Sequence, residues 1–205
     1  MPEIKKPHIL VCVLTGFERH MWVNPRLCAA LLSIAKDARF DITVSLVEDV
    51  RWVDRARNLC VVAARECSAD WLVMFDNDIA PPPNVLDILA EANQSGKDVL
   101  GLGYAVFSQS GRPELIPADR GLRDGEFRKT GCCGAGVLMV RSKVWESIPG
   151  PWFRWVSNDD ETSTLKIGED YFFCELAQRH GFKVWTHSNL AGHLRIINIT
   201  DVANS

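Results

Sequence analysis

Asp76 and Asp78 flank Asn77 directly after five apolar residues, Trp71-Leu72-Val73-Met74-Phe75. Two carboxylates at that spacing are hard oxygen donors of the kind Mg²⁺ or Mn²⁺ takes, often shared with the phosphates of a substrate. The pair alone decides little, because 15 Asp in 205 residues supply about one Asp-x-Asp by chance. Acids after a strand are also ordinary turn and cap residues. The setting adds weight. Five apolar residues in a row read as a strand buried on both faces, as in a parallel sheet. Pro81-Pro82-Pro83 cannot continue a central strand, so the acids stand where the strand stops. In open α/β sheets that end of the strands is where ligands bind. A second acidic pair, Glu169-Asp170, follows Gly168 at a helix start, where the helix dipole favours carboxylates whatever their function.

The elements needed to place these acids are legible in order. His8 to Leu14 is a strand candidate. Asn24-Pro25 opens a helix, with Asn as cap and Pro at the first position, and Leu27, Leu31, Ile34 and Ala35 carry its apolar face to about Ala38. Phe40 to Val47 alternates as a strand and ends at Glu48-Asp49, and a helix from about Val53 to Ser68 leads into the strand at Trp71. Strand, helix, strand, helix, strand argues a parallel sheet with right-handed crossovers. A short helix follows over Asn84–Ala92, then a strand over Asp98–Leu102. Phe107 to Lys129 has little periodicity and mixes Arg112, Arg120, Arg123, Arg128 and Lys129 with Glu114, Asp119, Asp124 and Glu126. A stretch of that length is usually functional or mobile, and its mixed charge usually marks a solvated surface, with a lid or acceptor loop as the alternative. Val137 to Val140 is again a strand, after the small-residue run Gly131 to Gly136. Asn158 to Glu161 reads as an acidic loop. Tyr171 to His180 is a helix stopped by Gly181, and Lys183 to Thr186 a last strand before His187, Gly192 and His193.

Composition bounds the rest. At 205 residues the chain fits one domain, with 47% hydrophobic and 24% charged residues, as in ordinary globular proteins. A net charge of −3 gives no general attraction to nucleic acid or anionic membranes, although a local basic face is compatible with it. The seven cysteines include no Cys-x-x-Cys pair, which argues against a thiolate zinc site. Cys12, Cys28 and Cys60 fall within apolar runs as small hydrophobes, and the adjacent Cys132-Cys133 reads as packing more readily than as redox chemistry. No membrane span or signal-peptide pattern is present, so the expectation is a cytoplasmic protein. Gly-x-Gly-x-x-Gly after the first strand and Gly-x-x-x-x-Gly-Lys-Ser/Thr are both missing, which disfavours a dinucleotide site and a P-loop.

With the two acidic pairs placed, the chain resembles the GT-A-type nucleotide-sugar glycosyltransferases, especially the family-2-like group. The resemblance spans about residues 8 to 195. Ala56-Arg57-Asn58 looks like the family's Arg-Asn pair, Ala69 to Asp78 like its metal-binding strand end, and Gly134 to Arg141 like its acceptor-side strand. Gly168 to Cys174 is similar to its Glu-Asp helix start, and Gly192-His193 to its late histidine. Two departures stand out. Leu14-Thr15-Gly16-Phe17-Glu18-Arg19 replaces the usual Pro-Thr-Tyr-Asn, and Glu48-Asp49 replaces Asp-Asp-Gly-Ser.

The resemblance implies a single GT-A-like α/β domain with a mostly parallel, Rossmann-like sheet flanked by helices. Its nucleotide-binding half would cover about 8–103 and its acceptor half about 104–195. It further implies a Mn²⁺ or Mg²⁺ cofactor held by Asp78, Asp76 (through water or the ribose) and His193, with His187 as fallback. Thr15, Glu48, Asp49, Arg57, Asp76 and Asn77 would line the nucleotide sugar, Arg57 by bonding phosphate or by bracing the loop. Asp170, with Glu169 beside it, would be the base or the acceptor-positioning group. The implied reaction is sugar transfer from a nucleotide-sugar donor, a UDP-sugar first, to an acceptor hydroxyl on a glycan, a small molecule or a modified nucleic-acid base. The alternatives are a nucleotidyltransferase or other metal-dependent phosphoryl-transfer enzyme, and an inactive nucleotide-sugar-binding module.

Overall fold

The computed structural model describes residues 5–16, 23–107, 113–116, 125–157 and 166–193. Strand β1 (His8–Gly16) is buried from Ile9 to Thr15. Helix α1 (Pro25–Ile34) starts as its sequence signals, the Asn24 side chain accepting from the Arg26 N–H at 2.8 Å. It stops short of Ala38 because Asp37 folds back on the Arg39 N–H and guanidinium, and such local bonds compete with the helix. Strand β2 (Asp41–Glu48) lies at the sheet edge, so its alternating Val44 and Leu46 stay exposed where a half-buried face was expected.

Helix α2 (Val53–Glu66), β3 (Trp71–Asp76), the two-residue β4 (Ile79–Ala80), α3 (Val85–Gln94) and β5 (Val99–Phe107) follow. Then come β6 (Pro113–Ile116), β7 (Phe127–Thr130), β8 (Val137–Arg141), α4 (Ser142–Ser147), β9 (Val156–Ser157) and β10 (Lys166–Ile167). Helix α5 (Glu169–Arg179) and β11 (Val184–His193) complete the described chain. Gly181, with φ 86°, supplies the left-handed residue after α5.

One mixed sheet runs β2-β1-β3-β8-β5-β11-β4, with β6 beside β5 and β7 beside β11; β9 and β10 pair separately. The β1–β2, β1–β3 and β5–β11 pairs are parallel, while β8 runs antiparallel between β3 and β5. Strands from the two sequence halves therefore interleave in a single α/β domain. Helices α2, α4 and α5 cover one face, onto which β3 turns Leu72 and Met74. Helices α1 and α3 cover the other, onto which it turns Trp71, Val73 and Phe75. β3 is buried on both faces, as its unbroken apolar run requires.

Strand β11 and the stretch Phe107–Lys129 also differ from the sequence expectation. Strand β11 continues to His193 past Thr186, because it changes partner: Val184–His187 pair with β5, and Gly192–His193 pair antiparallel with Ala80 and Ile79 of β4. The stretch Phe107–Lys129 contains β6 and β7. The latter, Phe-Arg-Lys-Thr, has one apolar residue to betray a strand, and Arg128 and Lys129 are exposed on it. Residues 108–112 and 117–124 of that stretch, including Arg112, Asp119, Arg120, Arg123 and Asp124, lie outside the described residues, as does Asn158–Glu161. Among the described residues no helix is long and apolar enough to cross a membrane.

Candidate functional site

β3 ends at Asp76, and the chain turns through Asn77-Asp78 into β4. Two polar anchors fix this turn. Asn24, fully buried, donates its backbone N–H to the Asn77 carbonyl at 2.8 Å and its side-chain amide to the Asp78 carbonyl at 3.5 Å. The Asn77 side chain donates to the Thr15 carbonyl at 3.3 Å. The residue that caps α1 thus also pins the acidic turn.

Partner exchange along β11 brings His193 to the same place. With His193 opposite Ile79 in the β4 pairing, His193 Nε2 lies 3.0 Å from Asp78 Oδ2. Both side chains keep water access, at 28% and 31% exposure. His187, the fallback, is elsewhere: it is buried, packs edge-on against Phe127, accepts from the Asn189 N–H at 3.1 Å, and has its pKa lowered by burial.

Asp76 faces the other way, toward α2. Arg57 Nη2 reaches its two oxygens at 2.9 and 3.1 Å, Nε reaches Glu169 Oε1 at 3.1 Å, and Nη1 reaches the Ala135 carbonyl at 3.1 Å. The guanidinium is buried, so its planar fork ties β3, α5 and the approach to β8 together. Of the two roles weighed for Arg57, this geometry is that of a brace. Burial alone would weaken its charge; Asp76 and Glu169 more than offset this and hold its pKa above the ordinary value. Asp76 is pushed up by its own partial burial, against the pull of Arg57, with Asp78 and Asp170 adding to the rise. Asp170 is likewise raised, first by burial and then by Glu169. Its Oδ1 accepts from the Tyr171 N–H at 2.8 Å.

The remaining expected nucleotide contacts divide. A cavity of about 230 Å³ opens at the carboxyl ends of β1 to β3, walled by Gly16, Arg51, Asp76, Asn77 and Asp78 over an apolar floor that includes Val50 and Ala56. Thr15 is buried beneath it, its hydroxyl donating to the Val47 carbonyl at 3.2 Å. Glu48 and Asp49 are exposed and outside its lining, and Asp49 takes a left-handed φ of 56° in the turn that presents Val50 and Arg51. A larger cavity, about 650 Å³, lies between α1, the three prolines and α3, away from the Arg57 and Asp170 carboxylate network.

Two features of the site had no sequence signal strong enough to find them. Asn24 showed only its cap. Tyr104 showed only an aromatic near a strand end, yet its ring meets His193 edge-on with centroids 5.5 Å apart and fills the space over Gly134 and Gly136. A Cβ on Gly136 would stand 2.9 Å from Tyr104 Cε1, so glycine there is a packing requirement.

Comparison with solved structures places the fold. Over 93% of this chain and 86% of its own, A197 from STIV is similar with a TM-score of 0.63 at 18% identity. CMP:2-keto-3-deoxy-manno-octonic acid synthetase, complexed with CTP, is similar over 98% and 96% with a TM-score of 0.51 at 10% identity. S. aureus TarS 1–349 in complex with UDP-GlcNAc matches over 95% of this chain and 60% of its own, with a TM-score of 0.48 and 12% identity. At these identities the likeness is one of fold. No family model matches the chain, and no curated protein matches it.

Proposed function

We propose that this protein is a metal-dependent glycosyltransferase that moves a sugar from a nucleotide-sugar donor, a UDP-sugar first, to an acceptor hydroxyl. The observation that carries the reading is the Asp78–His193 pair at 3.0 Å beside the 230 Å³ cavity at the strand ends. An oxygen and an imidazole donor with water access suit Mn²⁺ or Mg²⁺, which keep several sites for water and substrate phosphates. Asp78 and His193 would hold the ion. When bound, it neutralises charge on the departing diphosphate. Asp76, braced by Arg57, would contribute through water or the ribose. Among the described residues no cluster of three acidic, His or Cys ligands is preassembled.

The chain's own groups serve the rest. The cavity floor and the Asp76-Asn77-Asp78 wall bind the nucleoside end. Asp170, its pKa raised, is poised to take the proton from the acceptor hydroxyl as the new glycosidic C–O bond forms and the sugar–diphosphate bond breaks. Arg57 and Glu169 hold Asp170's helix against β3.

The second reading, a nucleotidyltransferase, is favoured by the likeness to the CTP-bound synthetase. The two release different products, a nucleoside diphosphate or pyrophosphate. The test is a thermal-shift panel of UDP-, GDP-, ADP-, CMP- and dTDP-sugars with and without Mn²⁺, in wild type and Asp78→Asn, followed by assay of the released product. A Mn²⁺-dependent rise with one nucleotide, lost in Asp78→Asn, is expected. Equal shifts in both proteins would remove the metal assignment, and release of pyrophosphate when a nucleoside triphosphate and a free sugar or sugar phosphate replace the nucleotide sugar would select the second reading.

A further inference from the structure

Tyr104 lies on β5, opposite Ala191 of β11, two residues before the end of that strand. Its ring occupies a slot that exists only because Gly134 and Gly136 lack side chains. A Cβ on Gly134 would overlap the Tyr104 hydroxyl and approach Cε1 and Cζ to 2.9 Å, and one on Gly136 would meet Cε1 at 2.9 Å and Cζ at 3.1 Å. The backbone beside that slot is the part of the chain that feeds the site. The Gly136 carbonyl accepts from the Asp76 N–H at 3.1 Å, and the Ala135 carbonyl accepts from Arg57 at 3.1 Å. The same ring meets His193 at a centroid distance of 5.5 Å and an interplanar angle of 69°. That is the edge-to-face geometry aromatic rings prefer.

We propose that Tyr104 is a positioning residue: its ring, locked in the Gly134–Gly136 slot, sets the plane of the His193 imidazole so that Nε2 is delivered to Asp78. The inference rests on the metal site proposed above and extends it by one shell. A metal-ligating imidazole needs an external constraint on its ring plane, and outer partners commonly govern affinity by 10-fold or more. Among the described residues, β11 pairs here with β4 through Gly192 with Ala80 and His193 with Ile79, which fixes the His193 backbone but not the rotation of its ring. The ring of Tyr104 supplies a rigid wall seated on the central part of the sheet.

The test uses the full chain with Mn²⁺ alone as probe, comparing wild type, Tyr104→Phe and Tyr104→Met. Three quantities are read: Mn²⁺ affinity by EPR titration, the urea midpoint, and the His193 imidazole resonances of the metal-free protein. Tyr104→Phe keeps the ring and should bind Mn²⁺ within about twofold of wild type. Tyr104→Met loses the ring and should bind roughly 10-fold more weakly, with His193 resonances moved in the metal-free protein. Unchanged His193 resonances and unchanged affinity in Tyr104→Met, with only the urea midpoint lowered, would overturn the proposal and leave Tyr104 a packing residue. Should Tyr104→Met not fold, a tenfold loss of affinity in Tyr104→Phe would overturn it, since the ring is intact there. Should wild type bind no Mn²⁺, the metal reading falls by itself; the claim on His193 orientation is then decided by the imidazole resonances, which must move in Tyr104→Met and hold in Tyr104→Phe.

Discussion

Replacing Arg57 by Ala tests the brace at the centre of the site. Arg57 is 2% exposed, and its guanidinium donates to both oxygens of Asp76, to Glu169 and to the Ala135 carbonyl. Its removal strands three acceptors. Breaking a buried ion pair by deleting one partner costs about 3–5 kcal/mol, because the other charge stays desolvated. Glu169, with 8% of its side chain exposed, bears that cost nearly in full. Asp76, at 30%, recovers part of its hydration, which places the sum near the lower end, about 3 kcal/mol. In a chain of this size that corresponds to a melting point lower by roughly 6–12 °C. Urea unfolding at pH 7 should show a lower midpoint at unchanged slope, the sign of lost stability rather than a changed unfolded state. Arg57→Lys should recover only part of the loss, since a point charge cannot serve three divergent acceptors. Arg57→Ala combined with Glu169→Gln should recover more, because it removes the stranded charge. The penalty should also shrink as the pH is lowered into the carboxylate range, where the orphaned acids protonate. An Arg57→Ala protein within about 1 kcal/mol of wild type, with no pH dependence to the difference, would refute the brace and return Arg57 to the role of a phosphate contact.

Two further outcomes follow from the packing and the charges. Gly134→Ala drives a methyl group into the Tyr104 ring and should destabilise by about 1–3 kcal/mol in urea, as overpacking does; a neutral result would mean the slot is not tight. His187 is buried with its pKa depressed, so the unfolded chain binds its proton first as the pH falls. Its contribution is present above the ordinary histidine pKa and is lost as the pH drops through that value toward the folded one. Wild-type stability should therefore fall more steeply between about pH 6.5 and 5 than that of His187→Gln, and parallel curves would show that His187 titrates normally.

Much of this protein is determined by local chemistry that the sequence states openly. The unbroken run Trp71–Phe75 has no polar face to give to water, so β3 had to be central. Asn24-Pro25 and Gly181 set helix ends by capping and by left-handed backbone, and the three prolines end the two-residue β4 that follows Asp78. These rules act within a few residues, which is why they survive without coordinates. Other features depend on contacts across the whole chain. Arg57 and Glu169 are 112 residues apart, and Asp78 and His193 are 115 apart. Nothing in the spacing of either pair says whether the arginine faces a ligand or two protein carboxylates. The tertiary structure decided that when β11 left β5 to pair with β4 and when β8 inserted between β3 and β5. Both events are long-range strand pairings, driven by burial of whole sheet faces and satisfaction of backbone hydrogen bonds. The one places His193 on Asp78, and the other opens the glycine slot that Tyr104 fills.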